Sequence, residues 1–249
     1  MVLAARHRIK ALELRSLGGT VDLPAYFAAH WAGPEALAAH VTRTGCRVAA
    51  IDTSFRLIGN EGKDREQLVA FLPWAEGLGG VNLRVFDGGT PGDAAGEAKA
   101  VDTLTWWNEL RRREGWSSDL MIETHDALVT AEAIQSLNTA LGDASPPRIL
   151  WDAHHTWKKG GEDPLVTWAA IAPQVVHLHV KDSVSRPSSR HPFTYVLPGA
   201  GEFPMEPLRA RLVRDGYAGV LSLEWELLWH PYLPPLDDAL AMADRAGWW

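Results

Sequence analysis

Ile149-Leu150-Trp151-Asp152-Ala153-His154-His155 is the stretch on which the fold turns. An apolar run ends abruptly in Asp152, and His155 follows three residues later. Placed between Pro146-Pro147 and Gly160-Gly161, it reads as a buried strand whose C-terminal end opens into a polar site. LMIETH (120–125), VVHLHVKD (175–182) and GVLSLEWE (219–226) share that design. Each runs apolar and then sets a carboxylate or an imidazole near its end. Glu123, Asp152, His179 and Glu224, one from each run, make a set that one divalent ion could use.

Working outward, seven strand-like runs alternate with helix-like stretches. The strands fall at 9–15, 47–53, 80–86, 120–125, 148–152, 175–181 and 219–225. The helical candidates are 34–44, 63–76, 96–114, 130–141, 164–172, 205–215 and 236–246. Strict alternation of this kind implies a parallel sheet. Parity narrows the choice. Side chains alternate faces along a strand, so Leu120 and Ile122 oppose Glu123 and His125, while Val176, Leu178 and Val180 oppose His177, His179 and Lys181. One face is apolar and packs under helices; the other turns polar toward the strand's C-terminal end. An open doubly wound sheet covers both faces with helices and would not tolerate that polar face. A TIM-type (β/α) barrel uses it as the mouth of its active site. Residues 1–249 are read as one such domain, with seven recognisable strands and the opening strand missing.

Glu, Asp, His and Glu form a mixed oxygen and nitrogen set suited to Mn²⁺, Mg²⁺, Co²⁺ or Zn²⁺. Each residue alone could equally be a cap, a turn former or half of an ion pair. The matching inward parity on consecutive strands is what joins them, since neighbouring strands lie ~4.8 Å apart. His177 shares the inward face but sits deeper, as a hydrogen-bonded interior histidine. His154 has the wrong parity to join Asp152. His155, just past the strand end, is placed to touch a substrate hydroxyl. His125 and Lys181 point inward at the pocket mouth. Arg84 and Arg15 divide between substrate contact and an interior ion pair with Glu13 or Asp52. The segment 182–204 is the longest irregular one, and such loops commonly cover a substrate.

The bulk numbers exclude other classes. A chain of 249 residues with 46% apolar content can bury a full core. A net charge of −7 speaks against a nucleic-acid partner, because phosphate binding needs concentrated Lys and Arg. The single cysteine, Cys46, suits a reducing cytoplasm. No run is long and apolar enough for a membrane span, and the N-terminus carries no secretion signal.

LRVFDGG, IETHD, WDAHH, HLHVKD and LEWE, in this order, resemble the xylose isomerase-like barrel superfamily, in its sugar phosphate isomerase/epimerase branch. The resemblance runs from about Ile9 to the end. It implies that Glu123, Asp152, His179 and Glu224 bind one divalent metal, with Glu123 and Glu224 as the catalytic pair. It also implies a small sugar or polyol substrate contacted by His155. The reaction would be proton transfer beside a carbonyl through an enediolate. Two positions depart from the ketose 3-epimerases: Val129 stands where they carry a substrate Glu, and Ser185, with Arg186 next to it, where they carry an Arg. Arg186 is therefore the substrate candidate there. IETHD is closer to the inosose dehydratase-like and hydroxypyruvate isomerase-like proteins. A lyase, an endonuclease-like hydrolase and a non-catalytic sugar-binding barrel stay open as alternatives. The resemblance also implies eight strands, so with the seven here 9–15 and 219–225 should either pair directly or leave an opening. Trp248-Trp249 or a partner chain would cover it, which leaves homo-oligomerisation open.

Overall fold

The computed structural model describes residues 2–142 and 146–248. The chain runs α1 (Val2–Arg6), β1 (Ala11–Leu14), α2 (Leu23–His30), α3 (Pro34–Arg43), β2 (Arg47–Ile58), α4 (Gly62–Val69), α5 (Leu72–Gly77) and β3 (Asn82–Gly88). It continues with α6 (Ala94–Glu114), β4 (Leu120–Glu123), α7 (Ala131–Leu141), β5 (Ile149–Asp152), α8 (Ala153–Lys158), α9 (Pro164–Ile171) and β6 (Val175–Val180). Then come β7 (Asp182–Val184), β8 (Thr194–Val196), α10 (Met205–Arg214), β9 (Val220–Leu223) and α11 (Leu236–Arg245).

Seven parallel strands form a nearly closed barrel in the order β1-β2-β3-β4-β5-β6-β9. Among the described residues no ladder joins β1 to β9, so of direct pairing and an opening the structure has the opening, a seam between them. Charged side chains of the terminal helices cross-link near it. Arg6 and His7 reach Asp237 at 2.8 and 2.6 Å, and Arg8 reaches Asp244 at 3.4 Å. Trp248 packs against the main core, whereas Trp249 lies outside the described residues.

Helix starts follow local chemistry. Asp93 caps α6 by accepting from the Ala95 N–H, and Thr130 caps α7 by accepting from Ala133. The stretch read as one helix over 63–76 divides into α4 and α5, with Pro73 near the start of the second. The reading missed α2 and α8, both short. The segment 182–204 is also less irregular than expected. It holds the antiparallel β7–β8 pair, and the Asp182 carboxylate gathers the N–H groups of Ser183, Gly199, Gly201 and Phe203. A Cβ at Gly201 would stand 2.1 Å from that carboxylate, so glycine is required there.

The main core lies between barrel and helices, around Ile51, Leu83, Ile122, Trp151 and Leu178. A small second cluster of Ala50, Met121 and Leu150 plugs the barrel interior, with Val176 against it. Parity alone had put Val176 on the outer face. The register between β5 and β6 shifts between Ile149 and Leu150, which pair with Val175 and His177. Val176 is the extra residue and turns inward. Above the plug the interior becomes polar.

Candidate functional site

Glu123 and Asp152 are the last residues of β4 and β5, His179 is the penultimate residue of β6, and Glu224 directly follows β9. They do not lie on one rung. Glu123 pairs with Leu150, two residues before Asp152, and His179 pairs with Ser222, two before Glu224. The tilt of strands in a barrel offsets this stagger. One ligand atom from each of the four lies within 4.8 Å of all the others.

Asp152 serves two purposes. Its Oδ1 accepts from the His155 N–H at 2.8 Å and so caps α8. Its Oδ2 turns inward, 2.9 Å from Lys181 Nζ and 3.0 Å from His155 Nδ1. The His155 Nδ1–H donates to the Thr124 carbonyl at 3.0 Å, leaving Nε2 without a protein partner among the described residues. His125 lies edge-on to His155, ring centroids 4.7 Å apart, and binds Asp126 through Nδ1.

Lys181 is buried and contacts Glu224 at 2.5 Å and Glu226 at 2.8 Å, with the Tyr195 ring of the β7–β8 hairpin 5.3 Å away. Arg84 is buried too. It meets Asp52 at 3.2 Å, Glu123 at 3.1 Å and the Thr53 carbonyl at 3.1 Å, and it stacks on Phe86. Arg186 is not brought to this cluster. Its residue is exposed in the turn between β7 and β8, and its guanidinium makes no hydrogen bond among the described residues.

Glu13 on β1 was noted only as a partner for arginine. The structure instead sets its Oε2 2.8 Å from His179 Nε2 and 3.0 Å from His177 Nε2. Ser222 completes the environment of His177 at 2.7 Å. The inward parity of Glu13 was legible; its reach across the seam was not, because no local pattern encodes a contact 166 residues away. A further acid–histidine group, Asp87, His125 and Asp126, is anchoring chemistry. Asp87 spends its oxygens on the N–H groups of Gly88, His125, Asp126 and Leu128.

Burial sorts the carboxyls. It raises Glu123 and Asp152 above the usual carboxylate range, although Arg84 and Lys181 respectively oppose it. Burial would raise Glu224 and Glu13 as well, but Lys181 and His179 hold the first well below that range, and His179 and His177 hold the second there. His155 is pushed well down by burial and then by Lys181, so it is neutral. Burial would lower Lys181 likewise, but Asp152, Glu224 and Glu226 keep it charged.

The donor set fits a divalent cation. Glu123 Oε1 and His179 Nδ1 are buried and make no hydrogen bond, while Glu123 Oε2 and Asp152 Oδ2 have only charged contacts, to Arg84 and to Lys181 and His155 respectively. Buried polar atoms left unpaired are uncommon in folded proteins. These four face one another, and a cation among them would satisfy all of them.

Residues 3–245 match the family model described as xylose isomerase-like TIM barrel. Among solved structures, the probable 3-DHS dehydratase AsbF of Bacillus anthracis is 18% identical at TM-score 0.75, covering 96% of this chain and 88% of that one. The IOLI protein with a bound zinc atom is 17% identical at TM-score 0.72, covering 98% and 88%. The 3-keto-D-glucoside 4-epimerase YcjR of E. coli is 16% identical at TM-score 0.68, covering 97% and 91%. No curated protein matches the sequence.

Proposed function

The chain belongs to the xylose isomerase-like TIM barrel family, and from that premise we propose that it is a divalent-metal-dependent isomerase or epimerase of a small sugar or polyol. The observation that carries this reading is the convergence of Glu123, Asp152, His179 and Glu224, each offering one atom within 4.8 Å of the others. Mn²⁺, Mg²⁺, Co²⁺ or Zn²⁺ suits that set; bound there, it would polarise a substrate carbonyl and its neighbouring hydroxyl.

The chain's own groups would do the rest. Glu224 stays ionised beside Lys181 and can take the proton from the carbon next to the carbonyl. Glu123 lies across the same cluster and would return one. His155 presents Nε2 to a substrate hydroxyl, held by the Thr124 carbonyl behind it. Lys181 and His125 border the same space and would bind substrate oxygens. Arg84 acts through Glu123, whose carboxylate it holds. Arg186 would reach the substrate only through movement of its hairpin. The same groups serve epimerisation, isomerisation or loss of a β-hydroxyl, and the face of reprotonation decides among them.

The test is a screen of ketoses and inososes, with and without phosphate, in deuterated water with each of the four ions. Label at the carbon beside the carbonyl supports the reading. No bound ion and no exchange on any substrate would overturn it in favour of a non-catalytic sugar-binding barrel.

A further inference from the structure

Glu13 sits on β1, at the open edge of the barrel, yet its side chain makes its contacts on β6. In the sheet order β9 and the seam stand between them. A single oxygen, Oε2, faces both Nε2 atoms, at 2.8 Å for His179 and 3.0 Å for His177. That oxygen accepts from His179 Nε2 and lies beside His177 Nε2, which is also bonded to Ser222 Oγ at 2.7 Å, so the carboxylate holds the ring of His179 from behind. With Nε2–H on Glu13, the other nitrogen of His179 is committed. Nδ1 lies 3.5 Å from Glu224 Oε2, is buried, and makes no hydrogen bond. A carboxylate behind a metal-binding histidine fixes which nitrogen is free and strengthens it as a donor.

We propose that Glu13 is a positioning residue for the metal site: it grips His179 by Nε2 and so turns Nδ1 toward Glu123, Asp152 and Glu224. This rests on the metal-dependent reading above. The same bond crosses the seam, so the side chain that orients a ligand also ties β1 to β6.

The variant is Glu13→Gln, which keeps the shape and one acceptor oxygen and removes the charge. Co²⁺ titration of the purified full chain should show 10- to 100-fold weaker binding, the loss typical for partners behind a ligand. One ion should still bind, with an altered visible spectrum. Leu14→Ala on the same strand is the control: it should lower the melting temperature and leave affinity and spectrum unchanged. A measurement on the unaltered protein needs no variant. In the Zn²⁺-loaded chain, nitrogen NMR of His179 should show Nδ1 bound to metal and a proton on Nε2. The opposite arrangement, or a Glu13→Gln affinity within about twofold of wild type, overturns the role of Glu13 alone. A wild-type chain that binds neither ion overturns the metal reading, and the role of Glu13 with it.

Discussion

The wall and the seam of this barrel are built differently. β4 and β5 are buried at every residue and hydrogen-bonded on both sides. β9 is partly exposed at every residue, β1 is buried only at Leu14, and each has a strand neighbour on one side alone. Backbone ladders hold the wall. Side chains hold the seam: Glu13 on the two histidines inside, Arg6, His7 and Arg8 on two aspartates outside. The candidate site draws on both. Glu123 and Asp152 stand on the wall at 1% and 0% exposure, whereas Glu224 beside the seam is 22% exposed. The lesson is that continuous sheet supplies the buried carboxylates of the cluster, and its edge supplies the more exposed one.

Four experiments break or sharpen that contrast. The largest effect should come from Glu224→Gln. Its amide keeps an oxygen for the ion but cannot act as a base, so deuterium exchange should fall by roughly 10²–10⁴ with little loss of bound metal. Exchange at the wild-type rate would remove the seam carboxylate from the chemistry. Next, Ile149→Ala on the wall should cost about 2–5 kcal/mol in chemical denaturation. Leu221→Ala on the half-exposed β9 should cost clearly less, because the site is already partly hydrated. Equal losses would mean that the seam is packed as tightly as the wall.

Asp152→Ala should abolish metal binding and Asp152→Asn weaken it, and the two should differ in stability by about 1 kcal/mol. Asn can still cap α8 and Ala cannot. The smallest effect belongs to Asp237. The hydrogen bond from His7, and the nearby Arg6 charge, hold this exposed carboxyl below its ordinary value of 3.8. A depressed carboxyl contributes fully above that value, and the contribution disappears as pH falls through the folded one. Protection of the α1 amides, corrected for the intrinsic exchange rate at each pH, should therefore fall on acidification below about pH 4 and in high salt, with the protection of β4 amides unchanged.

The sequence made the wall legible and the seam only by subtraction. Period-two parity marks Glu123, Asp152 and His179 as inward because each strand is buried against helices on its other face. It fails at Val176, where a register shift, invisible in one strand alone, turns the side chain around. It is also silent on partners. Glu13 reads as inward and acidic, and only the closed curvature of the sheet brings it to His177 and His179. Arg84 was evenly divided between substrate and ion pair, and its three nitrogens prove to be engaged by Asp52, Thr53 and Glu123. Arg186 was singled out by comparison with epimerases, not by physics, and it lies at the tip of a hairpin away from the cluster.

The Asp182 carboxylate, with its four backbone N–H partners, has a broader consequence. It fastens the neck of the excursion that carries β7 and β8, joining positions up to 21 residues apart at the barrel rim. Everything beyond that neck is a cartridge mounted on a fixed collar. Tyr195 is lodged near Lys181, while the tip around Arg186 and Arg190 hangs in solvent. Arg186 and Arg190 are exposed there, whereas Ser185 bonds Lys158 and Glu202, and Phe193 packs against His154. The exposed arginines of the tip can thus be varied while the Asp182 collar keeps the hairpin fastened to the rim.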